Sequence, residues 1–170
     1  MSTRPRHRDQ LIAEVTAEMP RQAGAARRFH IAMSHQIGIG PADLECVSLL
    51  AIEGPSSPSW LAEHLGLTTG AMTKMLDRLQ RAGYITRSAD PHDRRRIIVT
   101  AVPATLAEIA WRWDGMGERM HDAIARYSAS ELAAILDFMR AGRQAADAEI
   151  ALMRERGPAH AVRRPAGTPT

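Results

Sequence analysis

Residues 68–100, TTGAMTKMLDRLQRAGYITRSADPHDRRRIIVT, read as a basic amphipathic helix that runs straight into an arginine-tipped β-hairpin. Met72, Met75, Leu76 and Leu79 fall at helical spacing, Thr68 is a good N-cap, and Gly83 supplies a left-handed C-terminal stop. The stretches 84–87 and 96–102 favour β structure, and Asp90-Pro91-His92-Asp93 between them is built of turn residues. Lys74, Arg78, Arg81, Arg87, Arg94, Arg95 and Arg96 stand against Asp77, Asp90 and Asp93, a net charge of +4 where the whole 170-residue chain carries only +3. The positive excess is concentrated here. Binding a phosphate backbone requires such a concentration, whereas ordinary solubility does not.

Working outward toward the N-terminus, Ser57 and Pro58 form an N-cap and first-turn proline, and Leu61, Ala62 and Leu65 give the inward face of a short helix ending at Gly66. Two short helices joined by a Gly-containing turn predict a helix-turn-helix with the second helix as reader. Pro41 opens an earlier helix with Leu44, Val47, Leu50 and Ala51 inward, Cys46 on or beside that face, and a stop at Gly54. Ahead of it, after a basic start expected to fray at Arg4, Arg6 and Arg8, apolar residues recur at Leu11, Val15 and Met19 and then at Ala26, Phe29, Met33 and Ile37. Pro20 interrupts this pattern and predicts a kink or two segments.

Beyond Pro103 the helical period returns. Leu106, Ile109, Trp113, Met116, Met120 and Ile124 form one stripe; Ser128 or Ser130 caps a last helix striped by Leu132, Ile135, Met139, Gly142, Ala146, Ile150 and Met153. These helices are too long and too apolar for the small winged domain to satisfy, so packing on a second copy is expected, mainly through 11–19 and 132–153. The expected organisation is a dimerisation helix in 1–40, a winged helix-turn-helix in 41–102, dimerisation helices in 103–156 and a mobile Pro/Gly-rich tail in 157–170.

Composition agrees with a mainly α fold: aromatics are only 4% of the chain while Ala, Leu, Met and Ile supply the apolar content. The single cysteine excludes an intramolecular disulfide framework and any multi-cysteine zinc site, which fits a reducing cytoplasm. The charged N-terminus has no signal core, and no apolar run reaches the roughly 18–20 residues of a membrane span. Seven histidines scattered over separate elements, without zinc-helix spacing, phosphate loop or nucleophile elbow, argue against an enzyme. No cofactor and no metal are expected. A non-specific architectural DNA binder is the nearer rival, but the small overall charge and a defined reading helix favour sequence-specific control.

Taken in order and spacing, Leu61-Ala62-Glu63-His64-Leu65-Gly66-Leu67, Thr73-Lys74-Met75-Leu76-Asp77-Arg78-Leu79, Arg81-Ala82-Gly83-Tyr84-Ile85 and Asp93-Arg94-Arg95 followed by Val99 resemble the MarR family of winged-helix transcriptional regulators, over nearly the whole chain. After the wing the chain departs from the family's usual pattern, with Ala101-Val102, Pro103 and Thr105.

The face of the reading helix opposite its Met/Leu stripe carries Thr69, Gly70, Thr73, Lys74, Asp77 and Arg81. Lys74 is placed to donate to guanine, Thr69 or Thr73 to meet a base edge or thymine methyl, and Gly70 to let the backbone approach closely. Thr68 as cap offers helix N–H groups to a phosphate; Ser57, Arg78, Arg81, Arg94 and Arg96 complete the expected contacts with double-stranded DNA. Asp93 and Arg95, two apart on an extended strand, point the same way and are expected to pair. The resemblance implies that this pair shapes the wing and that Arg95 or a neighbour enters the minor groove. It further implies a sensor released from DNA by a small aromatic or phenolic ligand, for which His30, Met33, Ile37, Trp111, Trp113 and Met116 are candidate lining, although core packing explains each singly. Redox sensing through Cys46 is the alternative, weakened because no neighbouring cation would stabilise a thiolate.

Overall fold

The computed structural model describes residues 4–91, 93 and 95–156. The calls on Arg94, on His92 in the turn and on the tail 157–170 lie outside them. The described residues form α1 (Arg4–Ile37), α2 (Pro41–Glu53), α3 (Pro58–His64), α4 (Thr69–Arg81), β1 (Ile85–Ala89), β2 (Ile97–Ala101), α5 (Pro103–Ala125) and α6 (Ala129–Arg156). The mainly α, winged helix-turn-helix class follows directly. Two compact units divide the chain, Met1–Gly115 and Met116–Thr170.

In the first unit the core is built from the faces that helical and strand periodicity selected. Leu44, Cys46, Val47 and Leu50 of α2, Leu61 and Ala62 of α3, Met72, Met75, Leu76 and Leu79 of α4, and Ile85, Val99 and Ala101 of the hairpin are all buried, joined by Met33 of α1 and Ile109 of α5. Ala51 does not join them: it is exposed in the last turn of α2. The hairpin is antiparallel with Ile85 opposite Ala101 and Arg87 opposite Val99, so Arg87 shares the inward face. Ser56, just before α3, exchanges both backbone hydrogen bonds with Val99, at 3.0 and 2.8 Å. This one-residue bridge ties the base of the wing to the start of the helix-turn-helix.

Both turns that define the motif depend on glycine. Gly66 and Gly83 have φ of +63° and +79°, a region that a β-carbon disfavours. At each, the following amide returns to the carbonyl five residues back, Leu67 to Ala62 at 2.8 Å and Tyr84 to Leu79 at 2.9 Å, closing the helix with a Schellman pair. The helix starts are equally local in origin: Ser57 Oγ accepts from Trp60 N and Thr68 Oγ1 from Ala71 N.

Of the kink or division expected at Pro20, the division is not found: α1 runs from Arg4 to Ile37 as one helix with Pro20 inside it. The proline has no N–H to give the Thr16 carbonyl, and the residues flanking it are exposed, so that carbonyl lies where solvent can reach it. Arg4, expected in a frayed start, is the first helical residue. In the second unit Ser128, the first of the two candidate caps, begins α6: its Oγ accepts from Glu131 N, and Ser128 N donates to Glu131 Oε2 at 2.8 Å. The Ser128 hydroxyl, donating to Glu131 Oε2 at 2.7 Å, and after it the Ser128 amide hold the Glu131 carboxyl below its ordinary pKa.

Candidate nucleic-acid interface

The apolar stripe of α4 turns its other face outward, and Thr69, Gly70, Thr73, Lys74, Asp77 and Arg81 are all exposed. The Thr73 hydroxyl donates to the Thr69 carbonyl at 2.9 Å. Its proton is thereby used within the helix, leaving an acceptor lone pair and a methyl group facing outward. Such a group suits an exocyclic amine or a thymine methyl rather than a base acceptor. Thr68 caps Ala71 N, so the first-turn amides of Thr69 and Gly70 remain open for a phosphate oxygen.

A cleft of about 350 Å³ separates the start of α3, the reading helix and the wing, lined among others by Ser57, Ser59, Thr69, Thr73, Arg95 and Arg96. Five residues singled out from separate parts of the sequence thus converge on one surface. Lys74 and Arg81 continue the exposed face along α4, with Arg81 Nε on the Asp77 carbonyl at 3.2 Å.

The wing pair differs from expectation. Asp93 Oδ1 accepts the backbone N–H of Arg95 at 3.0 Å, and Arg96 N donates to the Asp93 carbonyl at 2.8 Å. Asp93 and Arg95 lie in the turn before β2, not on an extended strand, so the alternation that would align their side chains does not apply. Asp93 shapes the turn through the main chain, and the exposed Arg95 side chain is left to project.

Two ion pairs were missed from sequence. Arg87, turned inward by the hairpin register, places Nη1 2.8 Å from Asp77 Oδ1, while its Nε and Nη2 are buried without a hydrogen-bond partner. This joins wing to reading helix. Arg78, expected on DNA, instead directs Nε and Nη2 to the two carboxylate oxygens of Asp43 at 2.8 and 2.5 Å. Hydrogen bonding to that carboxylate raises the Arg78 guanidinium still further above its ordinary pKa. Period-2 alternation in 85–89 could have flagged Arg87; nothing local marks Asp43, whose partner is 35 residues away.

The aromatic candidates split. Trp113 packs edge-on against Phe29 at 5.1 Å and faces His30 at 6.5 Å, and His30 Nε2 lies 3.2 Å from the Pro41 carbonyl. Met33 is buried and Ile37 packs against the core. Trp111 is 71% exposed, because two residues on a helix differ by about 200°. Trp111 therefore does not line a site with Trp113. Met116 opens the second unit and is half-buried.

Cys46 is fully buried, and burial, with the nearby Asp43 carboxylate, pushes its thiol up from 9.0 to about 11. Native protein should therefore be inert to a thiol reagent at pH 7.5 until it unfolds; prompt labelling would contradict this. Since the folded value lies above the unfolded one, the thiol's contribution is complete below pH 9.0 and lost as pH rises toward about 11. The loss is roughly 2–3 kcal/mol, measurable as a pH slope in urea melts that Cys46→Ala removes.

A tight-turned pair of short helices with an exposed, partly basic second helix, flanked by a two-stranded wing, defines a winged helix-turn-helix DNA-binding protein. The MarR family model matches residues 39–97. The "uncharacterized HTH-type transcriptional regulator YcgE" of Bacillus subtilis (strain 168) is 34% identical over 111 residues, spanning 65% of this chain and 72% of its own length. The chain belongs to the MarR family, a family of transcriptional regulators. The multiple antibiotic resistance protein MarR of Salmonella typhimurium is 29% identical over 86 residues, 51% of this chain and 60% of that protein. A MarR family protein from Bacillus stearothermophilus shares the fold with a TM-score of 0.63 at 16% identity, covering 82% of this chain and 97% of that one. Among the described residues no helix is long and apolar enough to cross a membrane.

Proposed function

We propose that this protein is a homodimeric, sequence-specific repressor that binds a pseudo-palindromic operator. The observation that carries DNA reading is the convergence of Ser57, Thr69, Thr73, Arg95 and Arg96 on one cleft beside the exposed face of α4. In this reading Thr69, Thr73 and Lys74 meet base edges, Thr68 and Gly70 offer the helix start, Arg95 reaches the minor groove, and Ser57, Arg81 and Arg96 hold phosphates. The winged helix-turn-helix is assigned to 41–102, with 1–40 and 103–156 as dimerisation segments.

Dimerisation is supported by α6, a 28-residue helix in which no residue is buried. Ile135, Leu136, Phe138, Met139, Ile150, Leu152 and Met153 are all exposed, a wider apolar face than the stripe read from the sequence. A helix with this much bare apolar surface needs a partner, and a self-complementary one suits two half-sites about one DNA turn apart. Release by a small aromatic or phenolic effector completes the proposal. Such a molecule acts only through unequal affinity for DNA-competent and incompetent forms of the dimer. The redox alternative is disfavoured by the buried, proton-holding Cys46 thiol.

The test is fluorescence anisotropy on the DNA upstream of the coding sequence, or on a site selected from random DNA, in excess competitor and across a salt series. Arg95→Ala should weaken specific binding by about 10-fold or more, whereas Arg96→Ala should lower the log–log salt slope by about 1. Failure to bind any DNA above competitor would overturn the regulator reading.

A further inference from the structure

We propose that Asp43 is a positioning residue for the reading helix and that Arg78 is its brace rather than a phosphate contact; this rests on the DNA-reading role proposed above. By sequence Arg78 is an ordinary backbone ligand: it lies one turn beyond Lys74, between Asp77 and Arg81, and its side chain is 55% exposed. Its geometry says otherwise. Two of its nitrogens form a parallel fork on the carboxylate of Asp43, which is only 4% exposed in the first turn of α2.

Leu44, Cys46 and Val47, the neighbours of Asp43 on α2, are fully buried, so the carboxylate is held by the core and cannot follow a moving partner. Helix α4 rests on that core through Met72, Met75, Leu76 and Leu79. Apolar packing is non-directional: it sets how deep α4 sits but only weakly opposes a small slide along its axis or a tilt. A two-pronged guanidinium–carboxylate pair is directional and resists both. It acts near the C-terminal end of α4, opposite the end pinned by the Thr68 cap and the Gly66 turn. The outward positions of Thr73 and Lys74 lie between these two anchors. Meanwhile the charge of Arg78 is neutralised locally, so little of it is available to displace counterions from DNA.

The test uses the full-length chain on a site selected from random DNA, measuring specific and competitor affinities across salt, with folding followed by thermal melts. Asp43→Asn should lower the preference for the selected site on the order of 10-fold, within the span of coupling measured for directly contacting groups. Non-specific affinity and the salt slope should hold or rise, because the released Arg78 becomes free to meet phosphate. Falling specificity with undiminished non-specific binding is a signature that partial unfolding does not produce. Arg78→Lys keeps the charge and removes the fork; it should reproduce the loss of preference, whereas a phosphate contact would tolerate it. Two results would overturn the proposal: Asp43→Asn and Arg78→Lys both retaining full preference, or Arg78→Gln lowering the slope by about 1 with the preference intact. A wild-type chain that selects no DNA at all would instead remove the regulator reading, and this proposal with it.

Discussion

A chain carrying Ile135→Glu and Met139→Glu is expected to run as a monomer and to lose roughly 100- to 10,000-fold of its affinity for a two-half-site operator, with single half-site binding retained. Both residues stand on α6, where Met139 is 61% exposed and no residue is buried. Carboxylates on that face would have to be desolvated against an apolar partner surface, which they resist strongly. The avidity argument sets the size of the effect. In a dimer the second winged module binds from an effective concentration fixed by the first, and a monomer has no such advantage. Sedimentation would report the oligomeric state and anisotropy on one and two half-sites the coupling. A double variant that stays dimeric would show that α6 is not the interface. A monomer that binds the full operator unchanged would show that dimerisation does not contribute to recognition.

Leu76→Ala is expected to destabilise the first unit by about 2–5 kcal/mol, the range for truncating a buried leucine to alanine. Leu76 is 2% exposed, and Met72, Met75 and Leu79 belong to the same buried core, so little rearrangement is available to fill the space. For a domain whose total stability is on the order of 5–15 kcal/mol, that loss is a large share of the whole. Urea denaturation read by tryptophan fluorescence would measure it, Trp60 and Trp113 both packing against the affected core. A shift below about 1 kcal/mol would mean that the reading helix is held mainly by contacts other than its apolar stripe. Binding in the folded fraction should survive, since Leu76 faces away from the reading surface. Stability and recognition should separate cleanly here.

Where sequence reading succeeded, the cause of the structure is local. The caps at Ser57, Thr68 and Ser128 act within three residues, the positive-φ glycines Gly66 and Gly83 act within one turn, and the stripe of α4 is a property of one helix. Where it failed, either solvent or a distant partner decided. Pro20 does not divide α1, whose residues on either side of it are exposed to solvent. Trp111 and Trp113 are a different case: helical phase alone, a local property, puts them about 200° apart on α5, and Trp111 is 71% exposed.

The candidate interface divides along the same line. Residue types and helical phase alone determine that Thr69, Thr73 and Lys74 face away from the core and that the wing bears arginines. Charge alone does not tell which arginines are available: Arg78, Arg87 and Arg95 are chemically identical side chains within one basic stretch. The register of β1 on β2 turns Arg87 inward to Asp77, the position of α2 brings Asp43 to Arg78, and Asp93 spends its carboxylate on a main-chain amide, leaving the Arg95 side chain to project. Local hydrogen bonds and periodicity are written in neighbouring residues and are legible there. Pairing between charges 35 residues apart depends on how separate helices pack, and only the tertiary structure decides it.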